Sequence, residues 1–184
     1  VCSSDLGKKA EYEYTYGRQN WFEYSGAEHR ATREGVTMFD QSSFGKFMLE
    51  GPDAERIINQ VSANDMSVAN GKIVYTQWLN ERGGIEADLT VLRVANDKYL
   101  VVTAAATQVR DYMWLKDHIG ADDRAVLTDV SSAHAVLSIM GPKSRDLLQS
   151  LTWNDLSNEA FPFGTSQTID LGYARVRANR ITFV

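Results

Sequence analysis

Residues 74–91 read VYTQWLNERGGIEADLTV, the most unusual segment of the chain. Two runs rich in β-branched and aromatic residues flank Gly83-Gly84, a pair that favours a tight turn, so the segment predicts a β-hairpin. We expect its first strand over Ile73 to Leu79 and the return strand over Ile85 to Val94. Because successive side chains of a strand alternate between its faces, the return strand has one largely polar face, formed by Glu86, Asp88, Thr90 and Leu92.

The pattern gives Asp88 two possible environments. If the polar face lies open, Asp88 is an ordinary solvent-exposed acid. Leu92 interrupts the polar pattern, however, and a carboxylate between apolar residues is typical of a pocket wall. The residues alone leave both interpretations open.

A strand–turn–helix signal occurs twice, 90 positions apart. Gly51-Pro52 follows a predicted strand over Phe44 to Leu49, and proline is well suited to the first turn of a helix. The helix that follows has its apolar residues on one face: Ala54, Ile57, Ile58 and Val61. At the later position the matching residues are Gly141-Pro142, Leu147-Leu148, Leu151 and Asn154-Asp155-Leu156, the last corresponding to Asn64-Asp65-Met66. We therefore expect a duplicated strand–helix unit rather than a solenoid of short repeats.

The remaining elements are assigned from periodicity and from their flanking glycines. Near the N-terminus we expect a short strand or extended arm at Tyr12, Tyr14 and Tyr16 and a helix over Ala27 to Glu34. After the hairpin we expect a strand over Tyr99 to Thr103 and a helix that is marked by Val109, Tyr112 and Met113 and reaches about His118. Further strands are expected over Val126 to Val130, over Ala135 to Met140 and from Ala174 onward. Strands interspersed with helices and joined partly by a hairpin predict an α+β fold with mixed or antiparallel sheets and flanking helices.

The chain divides into an N-terminal arm, residues 1–20, and one domain, residues 21–184. Residues 1–6 show no periodicity that joins them to the rest, so we expect them to be non-native. The strand-like run from Ala174 stops in mid-pattern at Val184, and we expect the domain to be incomplete at its C-terminus.

Composition narrows the classes of protein. The 184 residues carry a formal net charge of −5, which disfavours a broad nucleic-acid-binding surface. Cys2 is the sole cysteine of the chain, so neither a disulfide framework nor a thiolate metal site can be built from it. No apolar run approaches the length of a membrane span, and the N-terminal residues do not resemble a signal peptide. We expect a cytoplasmic or organelle-matrix setting.

Several catalytic signatures are absent from the sequence. There is no Gly-x-Gly-x-x-Gly turn for a flavin or nicotinamide dinucleotide, no Walker loop, and no zinc-ligand spacing among the three histidines. Asp129, Ser131, Ser132 and His134 lie within one strand–turn–strand stretch and are interpreted as a polar turn rather than a hydrolase site. Arg175 and Arg177 alternate with apolar residues, which indicates a solvated strand face; the alternative is that one of them binds the carboxylates of an acidic ligand tail.

Taken together, several motifs resemble the folate-binding domain shared by the glycine-cleavage aminomethyltransferase (T-protein) and the dimethylglycine and sarcosine dehydrogenases. The resemblance runs from about Trp21 to Val184. It rests on AEHR at 27–30, MFDQSSFGKF at 38–47, GPDA at 51–54, AND at 63–65, the hairpin, and Gly141-Pro142. Two details favour the dehydrogenase branch: Gln41-Ser42-Ser43-Phe44 replaces the Val-Ser-His-Met usual in the transferase, and LSNEAFPF at 156–163 is similar to the flavin-linked enzymes.

The resemblance also implies the site residues. Asp88 matches the family's central aspartate, which faces the reactive part of the folate, and Tyr75 matches a folate-contacting tyrosine on the facing strand. Met48 and Thr90 match positions that line the pocket. Either Phe161 or Phe163 matches an aromatic residue that packs on the pterin. A Gly-Glu-Leu-Gly-Trp-Glu-Leu type motif, which contributes folate contacts, normally follows the position of Val184.

The function implied by the resemblance is capture of a one-carbon unit. An N-methyl amine such as dimethylglycine or sarcosine is oxidised by FAD in an upstream flavin domain, and tetrahydrofolate traps the iminium or formaldehyde carbon as a methylene group. No metal, nucleic acid or membrane is implied, and the compartment would be the bacterial cytoplasm or the mitochondrial matrix. Two alternatives remain: a free-standing aminomethyltransferase that acts with a lipoyl carrier protein, and a non-catalytic folate-binding or scaffolding module.

Overall fold

The structure is a computed structural model that describes residues 11–182. Its helices are α1 Phe22–Glu34, α2 Ala54–Val61, α3 Gln108–Asp117 and α4 Ser144–Gln149. Its strands are β1 Thr37–Asp40, β2 Gly45–Glu50, β3 Ile73–Leu79, β4 Ile85–Ala95, β5 Lys98–Thr103, β6 Val126–Asp129, β7 Leu137–Met140, β8 Thr165–Leu171 and β9 Ala174–Arg180. Helices and antiparallel sheets alternate along the chain, which confirms the predicted α+β class.

The largest sheet has five strands in the order β3-β4-β5-β2-β6, and all its pairs are antiparallel. One face of this sheet carries the main core, where Phe47 and Trp78 pack against α2 and α3. The apolar face predicted for α2 is confirmed, since Ala54, Ile57, Ile58 and Val61 are all buried. Burying each of the larger side chains contributes roughly 1.5–3 kcal/mol, so this face holds α2 on the sheet.

The two Gly-Pro turns have the same backbone conformation. Gly51 has φ +134° and Gly141 has φ +118°, values that side chains rarely tolerate. A Cβ on Gly51 would lie 2.2 Å from the Arg124 carbonyl oxygen, and one on Gly141 would lie 2.4 Å from the Gly35 carbonyl oxygen. Glycine is therefore required twice by the same close approach of a neighbouring backbone.

The loops that follow α2 and α4 repeat the same contacts. Asn59 Oδ1 accepts a hydrogen bond from the Met66 N–H (2.7 Å), and Gln149 Oε1 accepts one from the Leu156 N–H (3.0 Å). Asn59 and Gln149 are 90 positions apart in the sequence, and so are Met66 and Leu156. Each loop leads into a hairpin, β3–β4 or β8–β9. The expected duplication is thus present in the structure as two strand–helix–hairpin units.

The two units interlock through exchanged strands. Strand β1 precedes the first unit but pairs with β7 of the second, while β6 precedes the second unit and pairs with β2 of the first. The hairpins also meet, because Lys72 and Thr165 form an antiparallel bridge at the starts of β3 and β8. The second unit buries less apolar surface, in a small core around Leu156, Phe161 and Ile169.

Helix α1 begins at Phe22, five residues before the expected Ala27. Of the two possibilities for Tyr12, Tyr14 and Tyr16, the strand does not form over residues 11–20, where these tyrosines are exposed. The helix expected to reach about His118 is confirmed as α3, with His118 at its C-cap. Val109 and Met113 are nevertheless 76% and 43% exposed, and α3 turns Asp111 inward, a burial that hydrophobic periodicity does not predict. Residues 1–6 lie outside the described part of the chain.

Candidate functional site

The face of the five-stranded sheet opposite the main core collects four of the six predicted site residues. In the antiparallel register Tyr75 lies opposite Thr90, and Gln77 lies opposite Asp88. Thr90 is also opposite Val102 of β5, and one row further on Leu92, Leu100 and Met48 are neighbours. Because directly opposed residues share a face, these side chains form one surface. We call it the outer face and define it by Met48, Tyr75, Gln77, Asp88 and Thr90.

Asp88 is held by two donors on the facing strand. Tyr75 Oη donates to Asp88 Oδ2 at 2.6 Å, and Gln77 Nε2 donates to Asp88 Oδ1 at 3.1 Å. The hydrogen bond to Asp88, together with the nearby negative charge, raises the pKa of the Tyr75 hydroxyl above its ordinary value. Each carboxylate oxygen therefore has one donor fixed by the protein and keeps lone pairs for a ligand. We call Tyr75, Gln77 and Asp88 the Asp88 cluster.

The Asp88 cluster lies on an open surface. Asp88 is exposed and Tyr75 is 63% exposed. Of the two environments that the sequence pattern left open for Asp88, the structure therefore shows the solvent-exposed one. Below the cluster the same face becomes apolar and covered, since Ile73 is 7% and Leu92 is 2% exposed. Leu92 thus interrupts the polar pattern because it belongs to this apolar end.

The two candidate aromatic residues have different surroundings. Phe161 is 7% exposed and packs in the second core with Leu156 and Ile169, so apolar side chains already cover its ring. Phe163 is 60% exposed. The next residue, Gly164, accepts a hydrogen bond from the Ile73 N–H at 2.8 Å, which brings Phe163 to the edge of β3. Of the pair, Phe163 has a free ring near the outer face.

Lys46 is a residue of this face that the sequence analysis did not single out. It lies opposite Val102, in the same row as Thr90 and Tyr75, yet it is only 1% exposed. Its ammonium donates to the carbonyl oxygens of Ser42 and His134, each at 2.8 Å. Burial lowers the pKa of Lys46 from its ordinary value. Lys46 therefore ties together the loops that precede β2 and β7.

The segment from Asp129 to His134, interpreted from the sequence as a polar turn, forms hydrogen bonds within itself and with Lys46. Asp129 Oδ1 accepts the Ser131 N–H at 2.9 Å, and Ser131 Oγ accepts the Lys46 N–H at the same distance. His134 contributes its backbone carbonyl to Lys46. On β9, Arg175 and Arg177 are both exposed, and Arg177 Nη1 lies 3.4 Å from Ser166 Oγ.

A separate cleft of about 640 Å³ lies away from the outer face, between the β3–β4 turn and the helices α2 and α3. Its walls include Gln60, Arg82, Trp114 and His118. It contains none of the six predicted site residues. Among residues 11–182 we find no cluster of three or more potential metal ligands. No helix in that range is long and apolar enough to cross a membrane.

A family model described as the GCVT N-terminal domain matches residues 6–184. The chain belongs to this family. The expected resemblance is thereby confirmed, and the duplicated strand–helix–hairpin units are the form that the GCVT N-terminal domain takes here.

Named relatives include oxidising enzymes of N-methyl compounds. The chain is 39% identical over 178 residues to 4-methylaminobutanoate oxidase (formaldehyde-forming) of Paenarthrobacter nicotinovorans. This match covers 97% of this chain and 22% of that protein. It is 35% identical over 202 residues to mitochondrial sarcosine dehydrogenase of Mus musculus, with the same two coverages. The chain therefore spans about a fifth of the length of these relatives.

A solved structure shows the same fold. The glycine cleavage system aminomethyltransferase T from Bartonella henselae superimposes with a TM-score of 0.68 over 85% of this chain and 43% of that one, at 22% identity. Relatives of this chain thus include proteins named aminomethyltransferase as well as the larger oxidising enzymes.

Proposed function

We propose that this GCVT N-terminal domain binds tetrahydrofolate on its outer face and captures a one-carbon unit released by oxidation of an N-methyl amine. The observation that carries the proposal is the Asp88 cluster: a carboxylate whose two oxygens are each fixed by one donor, on an exposed face with an apolar end. Such a carboxylate can receive a proton or stabilise a cation without first reorganising.

The described residues suit tetrahydrofolate. Its pterin offers N–H donors at the ring edge, for which Asp88 has free lone pairs. The flat ring also needs apolar contact, which Phe163 and the end of the face near Ile73 can give. Thr90 lies between these two features on β4, and Met48 lies in the same row as Leu92, two strands away on β2. When bound, tetrahydrofolate supplies the nucleophilic nitrogens that take up a carbon at the oxidation level of formaldehyde.

Asp88 has two roles in this proposal. Its carboxylate accepts the proton that leaves a ligand nitrogen, and its negative charge stabilises the cationic one-carbon species nearby. Tyr75 and Gln77 hold the carboxylate in one orientation through their hydrogen bonds. Positioned acid–base assistance typically contributes about 100- to 10,000-fold in rate.

The oxidising half of the reaction belongs to parts of the protein outside this chain. Support comes from the names and lengths of the relatives, since the formaldehyde-forming oxidase and the sarcosine dehydrogenase are several times longer than this domain. We infer a covalently linked flavin domain that uses FAD to oxidise an amine such as dimethylglycine or sarcosine. The compartment we propose is the bacterial cytoplasm or the mitochondrial matrix; the mouse relative is named as mitochondrial.

The test compares Asp88→Asn with Asp170→Asn in the full-length protein. Both variants replace an exposed aspartate by its amide, but Asp170 lies on β8, away from the Asp88 cluster. We expect Asp88→Asn to lower methylene transfer to tetrahydrofolate by at least about 100-fold while amine oxidation continues and formaldehyde is released. Asp170→Asn should behave as wild type.

Two outcomes would contradict the proposal. Normal methylene transfer in Asp88→Asn would remove Asp88 from the reaction. Transfer that occurs only when a lipoyl carrier protein is added, with no amine oxidation in the wild type, would instead support a free-standing aminomethyltransferase.

A further inference from the structure

Strand β4 extends beyond its partner β5 at the end that carries Asp88. Pairing with β5 runs from Thr90, opposite Val102, to Ala95. After Thr103 the chain leaves the sheet and enters α3. Before Thr90, β4 is therefore paired only with β3, and its edge on the β5 side presents backbone groups that another donor or acceptor can bond.

Arg110 of α3 takes the place of the missing strand. Its guanidinium donates a hydrogen bond to the backbone carbonyl oxygen of Glu86, two residues before Asp88 on β4. The Glu86 side chain is fixed as well, because Asn80 Nδ2 donates to Glu86 Oε1 at 2.7 Å. This end of β4 is thus held from the turn on one side and from α3 on the other.

Arg110 is itself fixed by a buried carboxylate. Its Nε and Nη2 atoms each lie 3.2 Å from Asp111 Oδ1. Asp111 is only 1% exposed, and its Oδ2 accepts hydrogen bonds from the hydroxyls of Thr103 (2.5 Å) and Thr107 (2.7 Å). The buried carboxylate is held by all these donors, and it anchors the planar guanidinium of Arg110, whose side chain is otherwise exposed.

We propose that Arg110 is a positioning residue that holds Asp88 against Tyr75, through the chain of contacts from Asp111 to Arg110 to the Glu86 carbonyl. Its importance for one-carbon transfer rests on the function proposed above. The effect of Arg110 on the position of Asp88 can be tested without any ligand. Within residues 11–182 the hydrogen bonds of Arg110 go to Asp111 and to the Glu86 carbonyl oxygen and none reaches the Asp88 cluster, so its effect must pass through β4.

The test uses Arg110→Gln and Arg110→Lys, with Arg33→Gln as the control. Arg33 is an exposed arginine in the last turn of α1, so its replacement makes the same change of charge elsewhere. The first readout is the ultraviolet tyrosinate titration of Tyr75, identified by difference from the same protein carrying Tyr75→Phe. The second is methylene transfer to tetrahydrofolate in the full-length protein, with amine oxidation and thermal unfolding measured alongside.

In Arg110→Gln we expect the raised pKa of Tyr75 to fall toward the ordinary value of about 10, because Asp88 no longer keeps its place beside the hydroxyl. Methylene transfer should drop about tenfold or more, since small misplacements of a catalytic group are costly, while amine oxidation is unchanged. Arg110→Lys should restore part of both effects, because an ammonium can reach one acceptor but cannot form the planar double contact. Arg33→Gln should change neither.

A wild-type titration of Tyr75 in Arg110→Gln would overturn the inference whatever the folate experiments show. Where the wild type transfers methylene groups, equal transfer by Arg110→Gln would likewise overturn it. If the wild type itself transferred no methylene group, the proposed function would fail, and the Tyr75 titration alone would then decide whether Arg110 positions Asp88.

Discussion

Replacing Gly51 with alanine is expected to destabilise the protein much more than the same replacement at Gly83. Both glycines have positive φ, +134° and +76°, so both substitutions carry a backbone cost of about 1–3 kcal/mol. At Gly51 the new Cβ would also lie 2.2 Å from the Arg124 carbonyl oxygen and 2.9 Å from the Ala125 Cα, which are backbone atoms that must move. At Gly83 nothing lies within 4 Å.

The extra cost at Gly51 is that of overpacking, about 1–3 kcal/mol. For a domain of this size each kcal/mol lowers the melting temperature by roughly 2–4 °C, so Gly51→Ala should melt about 2–12 °C below Gly83→Ala. Circular dichroism during thermal and urea unfolding measures both quantities. Gly141→Ala should resemble Gly51→Ala, because its Cβ would lie 2.4 Å from the Gly35 carbonyl oxygen. Equal unfolding free energies for Gly51→Ala and Gly83→Ala would refute the close approach and, with it, the shared geometry of the two units.

Three further predictions concern the core and the loops around the outer face. Lys46→Met should cost about 2–4 kcal/mol in urea unfolding, because it leaves the Ser42 and His134 carbonyls without their donor; an unchanged free energy would show that water replaces the ammonium freely. Hydrogen bonds from the Ser131 side chain and backbone hold the pKa of Asp129 below its ordinary value, so this group stabilises the fold above about pH 4 and the contribution disappears as the pH falls through the lowered pKa. Asp129→Asn should therefore be less stable than wild type at pH 7 but nearly equal to it in strong acid, and a constant difference across that range would argue against this linkage. Ile57→Ala should cost about 2–5 kcal/mol, whereas Leu147→Ala, its counterpart 90 positions later and 41% exposed, should cost far less; similar losses would mean that both units bury this position equally.

The sequence predicts the first unit well because its signals are local and unambiguous. The glycine pair between two alternating runs defines the β3–β4 hairpin, and the spacing of Ile57, Ile58 and Val61 defines α2. The sequence predicts α3 as a helix but does not predict which residues it buries. Asp111 lies inward because the hydroxyls of Thr103 and Thr107 donate to its carboxylate, and hydrophobic periodicity does not detect such polar contacts.

The candidate site could be predicted in part. Alternation places Asp88 and Thr90 on one face, but it does not give the register that sets Gln77 opposite Asp88. Lys46 likewise looks like a surface lysine in the sequence, since its burial depends on carbonyl groups 4 and 88 positions away. Contacts across strands, rather than the strands themselves, are what the sequence alone does not supply.

Hydrogen exchange of the full-length protein, with and without tetrahydrofolate, tests most directly whether the outer face is the folate site. Ligand binding there should slow exchange in β3 and β4. Asp88→Asn should weaken that protection, whereas Asp170→Asn should show the same protection as wild type. The cleft beside Trp114 and His118 should exchange at the same rate in both states. Protection at this cleft, with β3 and β4 unchanged, would contradict the proposal and move the site to the opposite side of the hairpin.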